Sequence, residues 1–107
     1  MRIIARRTLR EYVERRAGHW DELALTAALD AWFDEVRQAS WANSADVKRH
    51  YASASIVSAE RIVFNMKGID YRLVVAVDFE KSIVWIKWIG THAEYDRIDV
   101  REVEYDR

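Results

Sequence analysis

The chain of 107 residues contains no cysteine, no proline and only three glycines. Without cysteine it forms no disulfide and no cysteine-ligated metal centre, which is compatible with a reducing compartment. Because Gly18, Gly68 and Gly90 stand far apart, the sequence has neither a flexible linker nor a glycine-rich phosphate loop. It also has no Gly-x-Ser-x-Gly elbow and no His-Glu-x-x-His motif. We therefore expect no metal and no cofactor.

Long hydrophobic runs are missing as well. Charged residues interrupt Met1–Arg7 too early for a secretion signal. The longest stretch without formal charge, His50–Ala59, is well short of the ~20 apolar residues that span a bilayer. The length suits a single domain, residues 1–107, with one modest core. We expect a soluble, cytoplasmic protein that does not enter the membrane.

The formal net charge is only −1, from 17 basic and 18 acidic residues. Nucleic-acid-binding domains are usually basic, so this value argues at first against such a partner. The charges are nevertheless segregated along the chain. Residues 1–16 carry +4 and residues 46–90 carry +2, whereas residues 17–45 carry −4 and residues 91–107 carry −3.

Two interpretations of the basic segments stay open. One is a solvated helix face, which we favour for Arg10, Arg15 and Arg16. The other is a basic concavity on a sheet that could hold phosphate groups.

The first half of the chain has mainly helical periodicity. A short apolar segment, Arg2–Ala5, predicts an opening strand. Thr8 and Glu11 have the spacing of a capping box and predict the start of a helix, which Gly18 would end. A second helix is predicted from about Asp21 to Ala39, where apolar residues recur at helical spacing.

The second half follows a different period. Asp46 is expected to cap one short helical turn, after which apolar residues alternate with a period of two. Strict alternation places Trp85 and Trp88 on opposite faces of their strand. Short turns join three predicted strands of an antiparallel meander, Ile62–Met66, Leu73–Phe79 and Ile83–Ile89. Helices followed by consecutive strands predict an α+β fold, with N-terminal helices packed on a small, mainly antiparallel sheet.

Three segments carry a resemblance to a known family: Phe64–Gly68, Tyr71–Val75 and Gly90–Asp96, in that order and with short spacers. Together they resemble the HigB family of bacterial type II toxins, within the RelE-like superfamily. The sequence departs from the pattern at Ile69, where family members often carry asparagine. Further matches make the resemblance span essentially the whole chain, and they lie at Met1–Ile4, Trp32, Trp41, Ala45–Lys48 and Tyr51.

The resemblance implies a RelE-like fold and an mRNA interferase, an endoribonuclease that cuts messenger RNA, commonly on the translating ribosome. It also implies a HigA-type helix-turn-helix antitoxin as partner. Metal-independent cleavage can use the substrate's own 2′-hydroxyl, which attacks the adjacent phosphate and expels the 5′-oxygen. Such an enzyme needs acid and base groups and cationic donors for the developing charge.

Four residues are the candidates for catalysis. His92 is our first choice for general acid or base, because imidazole can hold or release a proton near neutrality. Tyr95 could transfer a proton or stack on a base, or it could be a half-buried aromatic residue of a turn. Arg72 could bind phosphate bidentately, or it could pair with Asp70 or Asp96.

Lys87, the fourth candidate, interrupts an apolar strand and shares a face with Trp85, so the two could form an RNA-contacting stripe. Its alternative is a solvent-facing lysine on the open side of the sheet. Lys48, Lys67 and Asn65 are candidates for RNA contacts outside the chemical step. Two other functions stay open: a non-catalytic RelE-like protein that binds its antitoxin or the ribosome, and an unrelated α+β interaction domain.

Overall fold

The computed structural model describes residues 1–104, and it contains a five-stranded sheet with helices packed on one face. The helices are α1 (Arg6–Arg15), α2 (Glu22–Gln38), α3 (Ser44–His50) and α4 (His92–Tyr95). The strands are β1 (Arg2–Ile4), β2 (Ser55–Ile56), β3 (Arg61–Met66), β4 (Tyr71–Asp78) and β5 (Ile83–Thr91). Among the helices of this part of the chain, none has the length and apolar character needed to cross a membrane.

The sheet has the order β1-β5-β4-β3-β2. Strands β3, β4 and β5 are joined by short turns and pair antiparallel, so the predicted meander is confirmed. The opening strand β1 is also confirmed, and it pairs parallel to β5, with Ile3 opposite Val84. The predicted α+β class with a mainly antiparallel sheet is therefore confirmed.

The hydrophobic core lies between α2 and the inner face of the sheet. Leu25, Leu29, Trp32 and Val36 form a stripe on α2 in which each residue is nearly inaccessible to solvent. The indole of Trp32 packs edge-on against Phe64 of β3, with ring centroids 5.5 Å apart. Alternate residues of β4, among them Leu73, Val75 and Val77, complete this core from the sheet. The opposite, open face of the sheet holds the even-numbered residues of β4.

Two predicted helix starts are wrong. Helix α1 begins at Arg6 rather than at Thr8, because the chain turns directly out of β1 and the backbone N–H of Thr8 already bonds to the Ala5 carbonyl at 3.1 Å. Helix α3 is capped by the side chain of Asn43, which accepts a hydrogen bond from the backbone of Asp46. The second helix starts and ends within one residue of its predicted bounds.

A β-bulge in β5 overturns one further prediction. Val74 lies opposite Trp88 while Val75 lies opposite Ile86, so Lys87 is an extra residue without a partner on β4. Such a bulge shifts the alternation of all later residues by one position. Trp85 and Trp88 therefore lie on the same, open face of the sheet, and not on opposite faces. The period-two pattern could not reveal this, since Ile86 and Ile89 are both apolar and both buried.

Candidate functional site

His92 is fixed where β5 meets α4. Thr91 caps this short helix, because its hydroxyl accepts from the Glu94 backbone while the Glu94 carboxylate accepts from the Thr91 backbone at 2.7 Å. The backbone N–H of His92 donates to the carbonyl of Asp70 in the β3–β4 turn at 2.9 Å. Two elements therefore hold the position of His92, while its side chain stays about half exposed.

Arg72 and Tyr95 lie beside His92. A terminal nitrogen of the Arg72 guanidinium is 2.8 Å from Nδ1 of His92, and the guanidinium carbon is 5.8 Å from the centre of the Tyr95 ring. The alternative partners of Arg72 have other contacts, since Asp70 pairs with Lys67 and Asp96 lies 3.7 Å from Nε2 of His92. The structure thus brings together three of the four catalytic candidates.

The contact between Arg72 and His92 determines where the imidazole carries its proton. A guanidinium can only donate hydrogen bonds, so Nδ1 of His92 must accept. The proton of the neutral ring is then on Nε2, which faces the Asp96 carboxylate. If Arg72 moves away to bind an anion, the lone pair of Nδ1 becomes available to take up a proton.

Strand register adds Asn65 and Trp88 to this cluster. Asn65 of β3 and Gly90 of β5 lie on either side of Arg72, so all three point to the open face. A side chain at Gly90 would overlap the Trp88 indole, because a Cβ there would be 2.3 Å from it. Glycine at this position therefore lets the indole lie across the end of β5, 6.3 Å from the Tyr95 ring.

A groove of about 420 Å³ opens next to His92. Its walls come from the segment between α1 and α2, the β3–β4 turn and the start of α4. Arg16, Trp20, Asp21, Ile69, Tyr71 and His92 are among its lining residues. The groove thus brings His92 together with side chains from the N-terminal part of the chain.

A buried polar network supports the wall of this groove. Asp21 is only 5% exposed, and it accepts hydrogen bonds from the Tyr71 hydroxyl at 2.7 Å and from the His19 ring at 2.5 Å. The hydrogen bond from Tyr71 is the main cause that lowers the pKa of Asp21, followed in the same direction by the bond from His19. Burial, and then the bond to Asp21, raises the pKa of Tyr71 to about 12. A charged Asp21 and a neutral Tyr71 therefore form a fixed pair.

Sequence reasoning missed this network. Arg16 was interpreted as part of a solvated helix face, but its side chain is largely buried, 3.8 Å from Asp21 and 5.2 Å from the centre of the Tyr71 ring. The interpretation is wrong because Arg16 lies just past the end of α1, where the chain turns back over the sheet. The sequence feature that could have indicated this network is the close spacing of Arg16, His19 and Asp21 at the break between two helices.

The remaining candidates lie at various distances from His92. Lys67 is at the edge of the groove, where its ammonium group lies 4.9 Å from the centre of the Trp20 ring. Lys48 donates to the carbonyls of Ala52 and Ala54, at 2.7 Å each, and so holds the loop after α3. Its role in RNA contact stays a prediction.

Lys87 lies away from this cluster. It is five residues before His92 along β5, which corresponds to roughly 16 Å of extended strand. Its ammonium group donates to the Glu104 carboxylate at 3.0 Å, beside Trp85 and Arg61. The catalytic role of Lys87 also stays a prediction. Within residues 1–104, no three side chains of the kinds that ligate metals form a cluster.

One comparison with known proteins identifies the family. A model of the HigB toxins, described as the RelE-like toxic component of a toxin–antitoxin system, matches residues 25–98. This span covers more than half of the chain and includes Arg72, His92 and Tyr95. No curated protein sequence matches the chain. The α+β architecture is consistent with a RelE-like fold, and the protein belongs to the HigB family, as the toxic component of a toxin–antitoxin system.

Proposed function

We propose that this toxin is an mRNA interferase, a metal-independent endoribonuclease that cleaves messenger RNA on the translating ribosome. The observation that carries the proposal is the contact between Arg72 and His92 beside Tyr95, at the mouth of a groove. Attack by a 2′-hydroxyl on a phosphate requires a base, an acid and a cationic donor. We assign these roles to His92, Tyr95 and Arg72.

In the proposed reaction the 2′-oxygen forms a bond to phosphorus, and the bond from phosphorus to the 5′-oxygen breaks. Arg72 leaves His92 and binds the phosphate, where it stabilises the added negative charge. This movement exposes Nδ1 of His92, which accepts the proton of the 2′-hydroxyl. Tyr95, whose ring centre lies 5.8 Å from the guanidinium carbon of Arg72, gives a proton to the departing 5′-oxygen. The products are a 2′,3′-cyclic phosphate and a 5′-hydroxyl.

The charge distribution supports presentation of the substrate by the ribosome. Near His92, Arg16 has Asp21 at 3.8 Å, Lys67 has Asp70 at 2.6 Å, and His92 itself has Asp96 at 3.7 Å. Since nucleic-acid affinity depends on the number of phosphates that cations neutralise, the paired cations Arg16 and Lys67 and the acidic Asp96 leave this region with weak attraction for free RNA. We therefore expect rapid cleavage only when the ribosome holds the mRNA in place.

The family also implies a partner, because the toxic component of such a system is neutralised by an antitoxin. We propose a HigA-type helix-turn-helix antitoxin, and we propose the cytoplasm as the place where toxin, ribosome and antitoxin meet.

Primer extension on cellular mRNA after induction of the toxin tests the proposed activity. We expect new 5′ ends with the wild type and their loss with His92→Ala, since a general acid or base contributes roughly 10²- to 10⁴-fold. His50→Ala is the matched control, because His50 is also exposed but lies in α3, and we expect it to cleave normally. Growth arrest by a folded His92→Ala protein, without new mRNA ends, would instead support a toxin that binds the ribosome and does not cut.

A further inference from the structure

Two large apolar side chains are exposed at the groove beside His92. Trp20 is 81% exposed and Ile69 is 66% exposed, and both line this groove. Single exposed apolar residues are common on protein surfaces, but a group at one concave site indicates binding. The family match starts at residue 25 and does not include Trp20 or Arg16.

The ring of Trp20 is held in position by its neighbours. The ammonium group of Lys67 lies 4.9 Å from the ring centre and is itself bound to Asp70 at 2.6 Å. The His19 ring lies 6.0 Å from the indole and is hydrogen-bonded to the buried Asp21. An aromatic surface that is exposed and yet held in place loses little conformational entropy when a ligand stacks on it.

The polar groups of the same groove select the kind of ligand. The guanidinium of Arg16 lines this groove beside Asp21, and the half-exposed imidazole of His92 lines it as well. An apolar helix of a protein partner would bury these groups without giving them partners, which is costly. A nucleobase supplies both a flat ring for Trp20 and hydrogen-bond acceptors for Arg16 and His92.

We propose that this groove is a nucleobase subsite, in which the base next to the cleaved phosphate stacks on Trp20. This inference rests on the proposed cleavage of RNA and adds the position of the flanking base. Ile69 offers this base a surface without donors or acceptors. Stacking on such a surface tolerates every base, so the subsite holds the substrate in place without strong sequence preference.

The test uses the full chain and a short single-stranded RNA with 2′-O-methyl riboses, which cannot react by 2′-hydroxyl attack. The indole N–H signals of the tryptophans are followed by NMR during titration, and the Trp20 signal is the one that Trp20→Phe removes. We expect this signal to shift as RNA is added. We expect Trp20→Ala to weaken binding by about 5- to 150-fold, and Trp20→Phe to weaken it less, because phenylalanine still stacks.

Leu23→Ala is the matched control. Leu23 is 84% exposed and only three residues from Trp20, but it lies on α2. Within the described residues 1–104, it is not one of those that line the groove. We expect wild-type affinity from this variant and unchanged far-UV circular dichroism from all three.

A stationary Trp20 signal, or wild-type RNA affinity in Trp20→Ala, overturns the subsite. So does a Trp20→Ala protein that binds RNA normally and no longer binds its antitoxin, since the groove would then be a protein contact. A failure of the proposed cleavage can be told apart from this. If the wild-type protein yields no new mRNA ends but its Trp20 signal still responds to RNA, the nuclease function is rejected and the subsite is retained.

Discussion

The open face of the sheet carries arginine at two places, and the two arginines have opposite surroundings. At the His92 end, Arg72 donates to neutral acceptors, the ring of His92 and the carbonyl of Ile69 at 2.5 Å. At the far end, Arg61 donates to the Glu104 carboxylate at 2.9 Å and to the carbonyls of Val100 and Val103. Lys87 shares the same carboxylate.

The difference teaches that the number of cations on a surface says little about its capacity to bind phosphate. At the far end Glu104 of the C-terminal segment pairs with both Arg61 and Lys87, and the segment covers part of the sheet. At the His92 end the Arg72 guanidinium keeps its positive charge available, because its acceptors are uncharged. We therefore propose phosphate binding at Arg72 and a structural role for Arg61.

The largest effect is expected when variants from the two ends of the open face are compared in the cleavage assay. Arg72→Ala should lower cleavage of ribosome-bound mRNA by about 10²- to 10³-fold, as expected when one donor to the developing charge is lost. Arg72→Lys should recover little of this activity, because an ammonium group cannot bind phosphate bidentately. Lys87→Ala should cleave within a few-fold of the wild type, since its charge is already paired.

Cleavage rates are measured on purified ribosomes programmed with one defined mRNA. A loss in Lys87→Ala as large as that in Arg72→Ala would support the prediction from sequence that Lys87 is catalytic, and would mean that Glu104 releases it when RNA binds.

Most of the fold could be predicted from periodicity, because α2 and the three meander strands each have a long, consistent apolar pattern. The predicted helix starts at Thr8 and Asp46 are wrong, because α1 begins at Arg6 without a side-chain cap and the capping side chain of α3 is that of Asn43. The bulge at Lys87 was unpredictable for a different reason. An extra residue between two buried isoleucines leaves the apolar pattern intact while moving Trp88 to the other face.

The site could be predicted only in part, and the resemblance supplied the part that was found. Arg72, His92 and Tyr95 lie together, as the motif order suggested. Arg16 and Trp20 were missed because they come from the segment between two helices, about 50 to 80 residues before Arg72, His92 and Tyr95 in the sequence. Contacts at such separation depend on tertiary packing, which a single sequence does not reveal.

The second prediction concerns stability at the far end. Arg61→Ala should lower the free energy of unfolding by about 1–3 kcal/mol, because it leaves the carbonyls of Val100 and Val103 without their donor. Thermal denaturation measures the change, which corresponds to about 4–8 °C in Tm for each kcal/mol in a domain of this size. Arg101→Ala is the control in the same segment, since its side chain is exposed, and it should melt like the wild type. Equal Tm values for both variants would contradict a structural role for Arg61.

The smallest effect is expected from Glu104, and it depends on pH. The hydrogen bond from Lys87 lowers the pKa of this carboxyl, and Arg61 acts in the same direction. A carboxyl whose pKa is lower in the folded state stabilises the fold above its unfolded value of about 4.5. The contribution is lost as the pH falls from there through the folded-state pKa. Since Glu104 is largely exposed, we expect it to be worth no more than about 1 kcal/mol.

Glu104→Gln isolates this contribution, because glutamine keeps the shape and removes the charge. Its Tm should fall below the wild type at pH 7, and the difference should disappear well below pH 4, where both side chains are neutral. Added salt should reduce the difference, since an exposed pair is screened. At the groove end, the buried Asp21 has its pKa lowered mainly by the hydrogen bond from Tyr71, so its acid dependence should persist in high salt. If high salt reduces the pH-dependent stability contributed by Asp21 as strongly as that contributed by Glu104, the two ends of the molecule are held by the same kind of interaction.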